Sequence, residues 1–189
     1  GVVQTLLDSA IQTKIFAYLR DGAIKHTLYD ATLFYPFRRV LGGRVRMFVS
    51  GGAPLLPAVR NFLIAAFSAP IFECYGCTET AGNLTSTALW ERKGGHVGGV
   101  LGCMRMQLRD VPELDCFTSA STPSGQICVK GNAVMVGYFK NPEETKKSID
   151  ENGWLLIGDI GRLHKSGAIE VIDRVTALCK LQNGQFVAP

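Results

Sequence analysis

The chain has 189 residues, of which 47% are hydrophobic and 19% charged. That balance supports one domain, or two small ones, with a real core, and excludes a disordered chain. Twenty-one glycines against eight prolines show no fixed period, and the longest apolar run, Phe62 to Phe67, falls well short of the roughly 20 residues a membrane span needs. Net charge is +4, with basic residues scattered or in short pairs such as Arg38-Arg39 and Lys146-Lys147, so no clustered stripe marks a nucleic-acid partner.

The opening residues read as a helix. Val3, Leu6, Leu7, Ala10, Ile11, Lys14, Ile15, Tyr18 and Leu19 fall largely on one face, and Asp21-Gly22 ends it. Arg44 to Ser50 alternates Val45, Met47 and Val49 as a buried strand would. Gly51-Gly52-Ala53-Pro54 breaks that strand, and Pro57 opens a helix expected to carry Val59, Phe62, Leu63, Ala66 and Phe67 inward. A strand over Ile71 to Tyr75 completes a βαβ unit, so this half predicts a parallel α/β layer.

Beyond residue 100 the pattern becomes β-rich. Strands are expected at Met104–Val111, Gln126–Lys130, Trp154–Ile157, Ala168–Ile172 and Leu178–Leu181, separated by turn signals such as Asn152-Gly153. One helix stands out, Pro142 to Ile149, capped by Asn141 with Glu143 and Glu144 in its first turn.

Several motifs are missing. No two glycines are separated by a single residue, no Gly-Lys dipeptide occurs, and neither H-E-x-x-H nor G-x-S-x-G is present. The histidines at 26, 96 and 164 lack metal-ligand spacing. Cys74-Tyr75-Gly76-Cys77 matches C-x-x-C, which leaves a redox or noncatalytic nucleotide-binding module as an alternative reading. A zinc site would need a second such pair, which Cys103, Cys116 and Cys128 do not supply. With no signal peptide visible, the six cysteines are expected to be reduced, mostly buried thiols in a cytoplasmic protein.

The same stretch read on, Tyr75-Gly76-Cys77-Thr78-Glu79-Thr80, joins two others: Ser50-Gly51-Gly52-Ala53-Pro54 upstream, and Trp154-Leu155-Leu156-Ile157-Gly158-Asp159-Ile160-Gly161 downstream. Together they resemble the adenylate-forming superfamily of acyl-CoA synthetases. Leu41-Gly42-Gly43-Arg44-Val45-Arg46, Gly137-Tyr138-Phe139-Lys140-Asn141-Pro142, and Val171-Ile172-Asp173-Arg174 leading into Lys180-Leu181-Gln182-Asn183-Gly184 resemble its long-chain fatty acyl-CoA ligase branch.

The resemblance implies the back of the large domain of an adenylating enzyme: residues 1–100 as part of the α/β adenylate-binding subdomain, 101–172 as a β-rich subdomain, and 173–189 as the hinge and the start of a small C-terminal domain. It implies ATP, a fatty acid and coenzyme A as substrates, with Mg²⁺ as cofactor. Gly51 and Gly52, with Ala53 and Pro54, would let backbone approach the adenine, because glycine carries no side chain. Tyr75 offers an aromatic face and Gly76 follows it. Thr78 supplies a hydroxyl for a phosphate oxygen, and Glu79 a hard oxygen for Mg²⁺. Asp159 and Arg174 suit the ribose hydroxyls.

Asp173 maps to the hinge, with Lys180 retained nearby. The family pattern Asp-Arg-x-Lys-Asp-x-x-Lys is departed from at Thr176 and Ala177. Each of these residues also has a plain structural reading: Tyr75 as a core aromatic, Glu79 as a helix-start carboxylate, Asp159 as a turn residue, Arg174 as an exposed cation. The family's phosphate loop and its C-terminal lysine are not among the 189 residues. The chain is therefore expected to be a central stretch of a longer enzyme, inactive alone; that enzyme is expected in the cytoplasm, with the cytoplasmic face of an internal membrane as the alternative, and nothing in these residues encodes a membrane association. A related acid–CoA ligase is the alternative within the same chemistry.

Overall fold

Helix α1 (Val2–Asp21) ends where Gly22 turns left-handed at φ 79° and its N–H closes on the Tyr18 carbonyl, a C-cap that only glycine adopts without strain. The computed structural model describes residues 1–175, together with the backbone of 179–180 and 186–187. Thr176, Ala177 and most of the expected strand ends beyond them lie outside the described residues, as does the Lys180 side chain. The chain separates into two compact units, residues 1–73 with 88–95, and residues 74–87 with 96–189.

In the first unit, α1 is followed by the short helices α2 (Thr27–Ala31) and α3 (Tyr35–Val40), strand β1 (Phe48–Ser50) and helix α4 (Pro57–Phe67). Strand β2 (Ile71–Cys77) begins here. It runs parallel to β1, with Phe48 opposite Ile71 and Ser50 opposite Glu73, so the expected βαβ unit forms. Ala10, Phe34 and Ala66 make one buried cluster, and Tyr18, Ile64 and Ile71 another.

Three expected faces are corrected. On α1 only Ala10, Lys14 and Tyr18 are buried, while Val3, Leu6 and Leu19 face solvent. In β1 the inward residue is Phe48, packed edge-on against Phe67 at 5.3 Å, whereas Met47 and Val49 are exposed. Strand side chains alternate, so one residue of phase reverses every face. On α4, Val59 is exposed and Arg60 is buried. Burial of that cation is possible because it has partners: its Nε lies 3.0 Å from Glu73 Oε1, and its Nη2 donates to the Glu91 carbonyl at 3.0 Å.

Lys14 is the other buried cation. Its ammonium pairs with Asp30, donates to Ser68 Oγ at 2.8 Å and sits 4.9 Å from the centre of the Phe34 ring. The apolar stripe on α1 is thus built around a polar anchor.

The second unit is antiparallel. The end of β2 pairs with β3 (Gly82–Ser86), and β3 with β4 (Gly99–Val100). Strands β5 (Met104–Arg109), β6 (Ser124–Gly131), β7 (Leu155–Leu163) and β8 (Ile169–Arg174) form a meander in chain order. Leu84, Met104, Ile127, Val129, Leu155 and Ile169 fill its core. Strand β3 was not expected, because Gly-Asn-Leu-Thr-Ser lacks the β-branched density of a strand. Helix α5 (Pro142–Ser148) starts as expected, with Asn141 Oδ1 accepting the Glu144 N–H at 3.1 Å. Backbone pairing of 179–180 with 186–187 is antiparallel.

Candidate functional site

Tyr75 and Gly76 sit where β2 changes register against β3. A Cβ on Gly76 would lie 1.8 Å from the Gly82 carbonyl oxygen, so the approach of the two strands requires glycine. The chain then makes one 3-10 turn, Thr78–Thr80. Buried Thr80 holds it: the hydroxyl accepts the Cys77 N–H at 3.1 Å and lies 2.9 Å from the Gly82 carbonyl. Thr78 is left exposed and Glu79 half-buried.

The Tyr75 hydroxyl donates to Asp159 Oδ2 at 2.6 Å. Burial, and then the Asp159 carboxylate, push the phenol far above its ordinary value, so it remains a donor throughout the working pH range. Asp159 stands opposite Arg174 in the β7–β8 register, with Arg174 Nε 3.6 Å from Oδ1. The carboxylate is largely buried and the guanidinium exposed. Gly158, at φ 84°, accepts the Val175 N–H at 2.8 Å and shapes the β7 backbone just before Asp159. Asp173 Oδ1 accepts the Arg174 N–H at 2.6 Å.

Glu79 is held at two points by the segment after β6. Met135 N–H donates to its carbonyl at 2.8 Å, and the Tyr138 hydroxyl donates to Oε1 at 2.8 Å. That side-chain hydrogen bond, helped by the charge of Arg174, holds the Glu79 carboxyl below the usual carboxylate range. The same guanidinium acts on the Tyr75 phenol.

The second unit thus brings together Tyr75, Gly76, Thr78, Glu79, Asp159 and Arg174. Gly51, Gly52, Ala53 and Pro54 belong to the first unit, where they are exposed after β1 and Gly52 adopts φ 85°. Sequence reasoning did not single out Tyr138 or Thr80. The Gly137-Tyr138 pair was part of a recognised stretch, but nothing in one dimension joins residue 138 to residue 79.

The C-x-x-C reading fails on geometry. Cys74 lies within β2, and at about 3.3 Å per residue its Cα is roughly 10 Å from that of Cys77, beyond disulfide reach. Their sulfurs have separate partners, Ser86 Oγ and Thr80 Oγ1, each at 3.6 Å. Burial pushes the Cys77 thiol up, opposite to a reactive thiolate. Of the five described cysteines, Cys74, Cys116 and Cys128 are buried, Cys77 is half-buried and Cys103 is exposed.

The fold, with an aromatic ring, a largely buried carboxylate, a guanidinium and a separate carboxylate gathered in its second unit, is that of part of an adenylation domain. The chain belongs to the AMP-binding enzyme family, which it matches over residues 3–139. It is 38% identical over 185 residues to long-chain-fatty-acid–CoA ligase 5 of Rattus norvegicus, covering 97% of this chain and 27% of that one. It is 40% identical over 185 residues to long-chain-fatty-acid–CoA ligase 6 of Homo sapiens, covering 97% and 26%. The chain spans about a quarter of the length of these relatives.

Among solved structures, the adenylation domain of a carboxylate reductase from Mycobacterium chelonae superposes with TM-score 0.73 at 30% identity, covering 99% of this chain and 28% of that one. The A domain of the carboxylic acid reductase from Segniliparus rugosus, in complex with AMP and a co-purified carboxylic acid, gives 0.72 at 28% identity, covering 97% and 28%.

Proposed function

We propose that the protein is a long-chain fatty acid–CoA ligase. A fatty acid carboxylate oxygen attacks the α-phosphorus of ATP, the bond to the β-phosphate oxygen breaks, and acyl-adenylate and pyrophosphate form. The coenzyme A thiol, losing its proton, then attacks the acyl carbon and expels AMP. The observation that carries the reading is the Tyr75–Asp159–Arg174 constellation beside Glu79, in a chain whose relatives are long-chain acyl-CoA ligases.

In this reading the Tyr75 ring stacks on adenine while its hydroxyl fixes Asp159. The second Asp159 oxygen and Arg174 take the ribose hydroxyls. Thr78, exposed at the turn, donates its hydroxyl to a phosphate oxygen. Asp173 and Lys180 serve as hinge residues between the two half-reactions, where residues 173–189 would lead from the large domain (1–100 and 101–172) into a small C-terminal one.

Mg²⁺ suits Glu79. One ionised, partly exposed carboxylate is what that ion takes when phosphates and water complete its shell, and among the described residues no group of three or more His, Cys, Asp or Glu forms a closed cage. Bound there, the ion would offset phosphate charge as the α-phosphorus is attacked. The cysteines described are free thiols, which suits a cytoplasmic location; subcellular fractionation tests it.

The decisive experiment is fatty-acid-dependent ATP–pyrophosphate exchange on the full-length protein, with acids from short to long chain, an aromatic acid, and Asp159→Ala as control. Exchange that peaks with long chains and collapses in the variant is expected. A peak with another acid class would transfer the protein to a sister ligase, and no exchange with any acid would overturn the reading.

A further inference from the structure

Between β6 and α5, Val136 and Phe139 stand out in solvent, at 101% and 89% exposure, while the tyrosine between them directs its hydroxyl to Glu79. Apolar burial holds only the start of this segment, where Ala133, Val134 and Met135 pack against the core. Its other contacts are polar and fix its path. Gly137 adopts φ 152°, the Tyr138 N–H donates to Thr145 Oγ1 at 2.9 Å, and that hydroxyl donates in turn to the Asn141 carbonyl at 2.8 Å. The Asn141 side chain caps α5. At the other end, Met135 N–H is tied to the Glu79 carbonyl. The loop is anchored on the first turn of α5 and delivers one phenol to one carboxylate oxygen.

The carboxylate, which also interacts with its own N–H and with the Cys77 thiol, stays partly exposed. A carboxylate so held has lost its rotamer freedom but kept its capacity to bind a cation, which is the relation of an outer hydrogen-bond donor to a metal ligand. On the premise, from the proposed function, that Glu79 meets a divalent cation bound with ATP, we infer that Tyr138 is a positioning residue that holds the Glu79 carboxylate in its cation-binding orientation. Tyr138 itself touches neither nucleotide nor metal in this role. The ionised state of Glu79 is favoured by the same hydrogen bond.

The test uses the full-length protein and Mn²⁺ as a spectroscopic substitute for Mg²⁺. Free Mn²⁺ is read by electron paramagnetic resonance, in the presence of α,β-methylene-ATP so that no adenylation occurs. Tyr138→Phe is expected to raise the half-saturating Mn²⁺ concentration about 10-fold, the usual cost of losing an outer-shell partner. Glu79→Gln should raise it at least as much, and the double variant no more than Glu79→Gln alone. In ATP–pyrophosphate exchange, Tyr138→Phe should raise the Mg²⁺ requirement more than it lowers the rate at saturating Mg²⁺, a split that a structural tyrosine would not produce.

If Glu79→Gln weakens Mn²⁺ binding and Tyr138→Phe does not, this inference is overturned and the reading of Glu79 stands. Tighter binding in Tyr138→Phe would make the phenol a competitor of the cation and also overturn it. Unchanged Mn²⁺ binding in Glu79→Gln removes the metal role of Glu79, and the inference with it.

Discussion

The Tyr75 hydroxyl and Asp159 Oδ2 are 2.6 Å apart, although 84 residues separate them in the chain. One strand pair supplies the ring and another the carboxylate, so the hydrogen bond fixes the orientation of both groups at once. Tyr75→Phe keeps the ring and loses the bond; Tyr75→Ala loses both. Hydrogen bonds to charged groups contribute about 1.5–3 kcal/mol, and loss of base–aromatic stacking costs a further ~1–3 kcal/mol. Calorimetric titration with ATP should therefore rank wild type, Tyr75→Phe and Tyr75→Ala in falling affinity. Equal affinity for the two variants would remove the stacking role.

Lys14 and Asp30 make a buried pair in the first unit, with side chains 2% and 10% exposed. Removing one member of such a pair strands the other and costs about 3–5 kcal/mol, while replacing both with apolar residues is often close to neutral. Lys14→Met should lower the urea midpoint sharply, and Lys14→Met with Asp30→Leu should recover most of the loss. A double variant no better than the single one would contradict this account.

The same pair sets a pH dependence. Burial opposes the Asp30 carboxylate, yet hydrogen bonds led by Lys14 hold it below its ordinary value. A carboxyl depressed on folding stabilises above its unfolded pKa of about 3.9, and that contribution disappears as pH falls through the lower folded value. Burial lowers Lys14, so the folded state binds that proton less tightly and this term eases only as pH rises toward the alkaline range. Between neutrality and strong acid, Asp30→Asn should flatten the loss of stability seen for the wild type in urea titrations. An identical acid slope in both would exclude Asp30 as its source.

Two glycines separate steric need from conformational need. At Gly76 an added Cβ meets backbone at 1.8 Å, whereas at Gly52 it meets nothing within 4 Å and only the φ of 85° resists it. Gly52→Ala should cost about 1–2 kcal/mol. Gly76→Ala must force β2 and β3 apart, and is expected to yield little soluble protein or a thermal midpoint lowered well beyond that of Gly52→Ala. Comparable midpoints would refute the packing argument.

Cys74 and Cys77 should not form a disulfide with each other under mild oxidation, as peptide mapping by mass spectrometry will show. Cys103, the exposed thiol, should be alkylated first among the five described. Serine at both 74 and 77 should leave AMP affinity within a few-fold of wild type. A Cys74–Cys77 crosslink would revive the redox reading.

Period and punctuation determined the βαβ unit, the β-rich second half, the Asn141 cap and the left-handed stop at Gly22, because each depends on neighbours within one or two turns of chain. The ordered motifs around residues 51, 75, 137, 159 and 173 also determined the family, since their sequence order carries information that no single residue does. Faces were less legible. Alternation over Arg44 to Ser50 is compatible with either phase, and only packing of Phe48 against Phe67 selects one. Arg60 and Lys14 lie in apolar stripes, and burial of a cation is favourable only where a distant Glu73 or Asp30 meets it. At the site, tertiary structure alone joined Tyr75 to Asp159 and Glu79 to Tyr138. Hydrogen bonds act over about 3 Å of space whatever the separation along the chain, so the strand register that creates them is set by the whole sheet and its core.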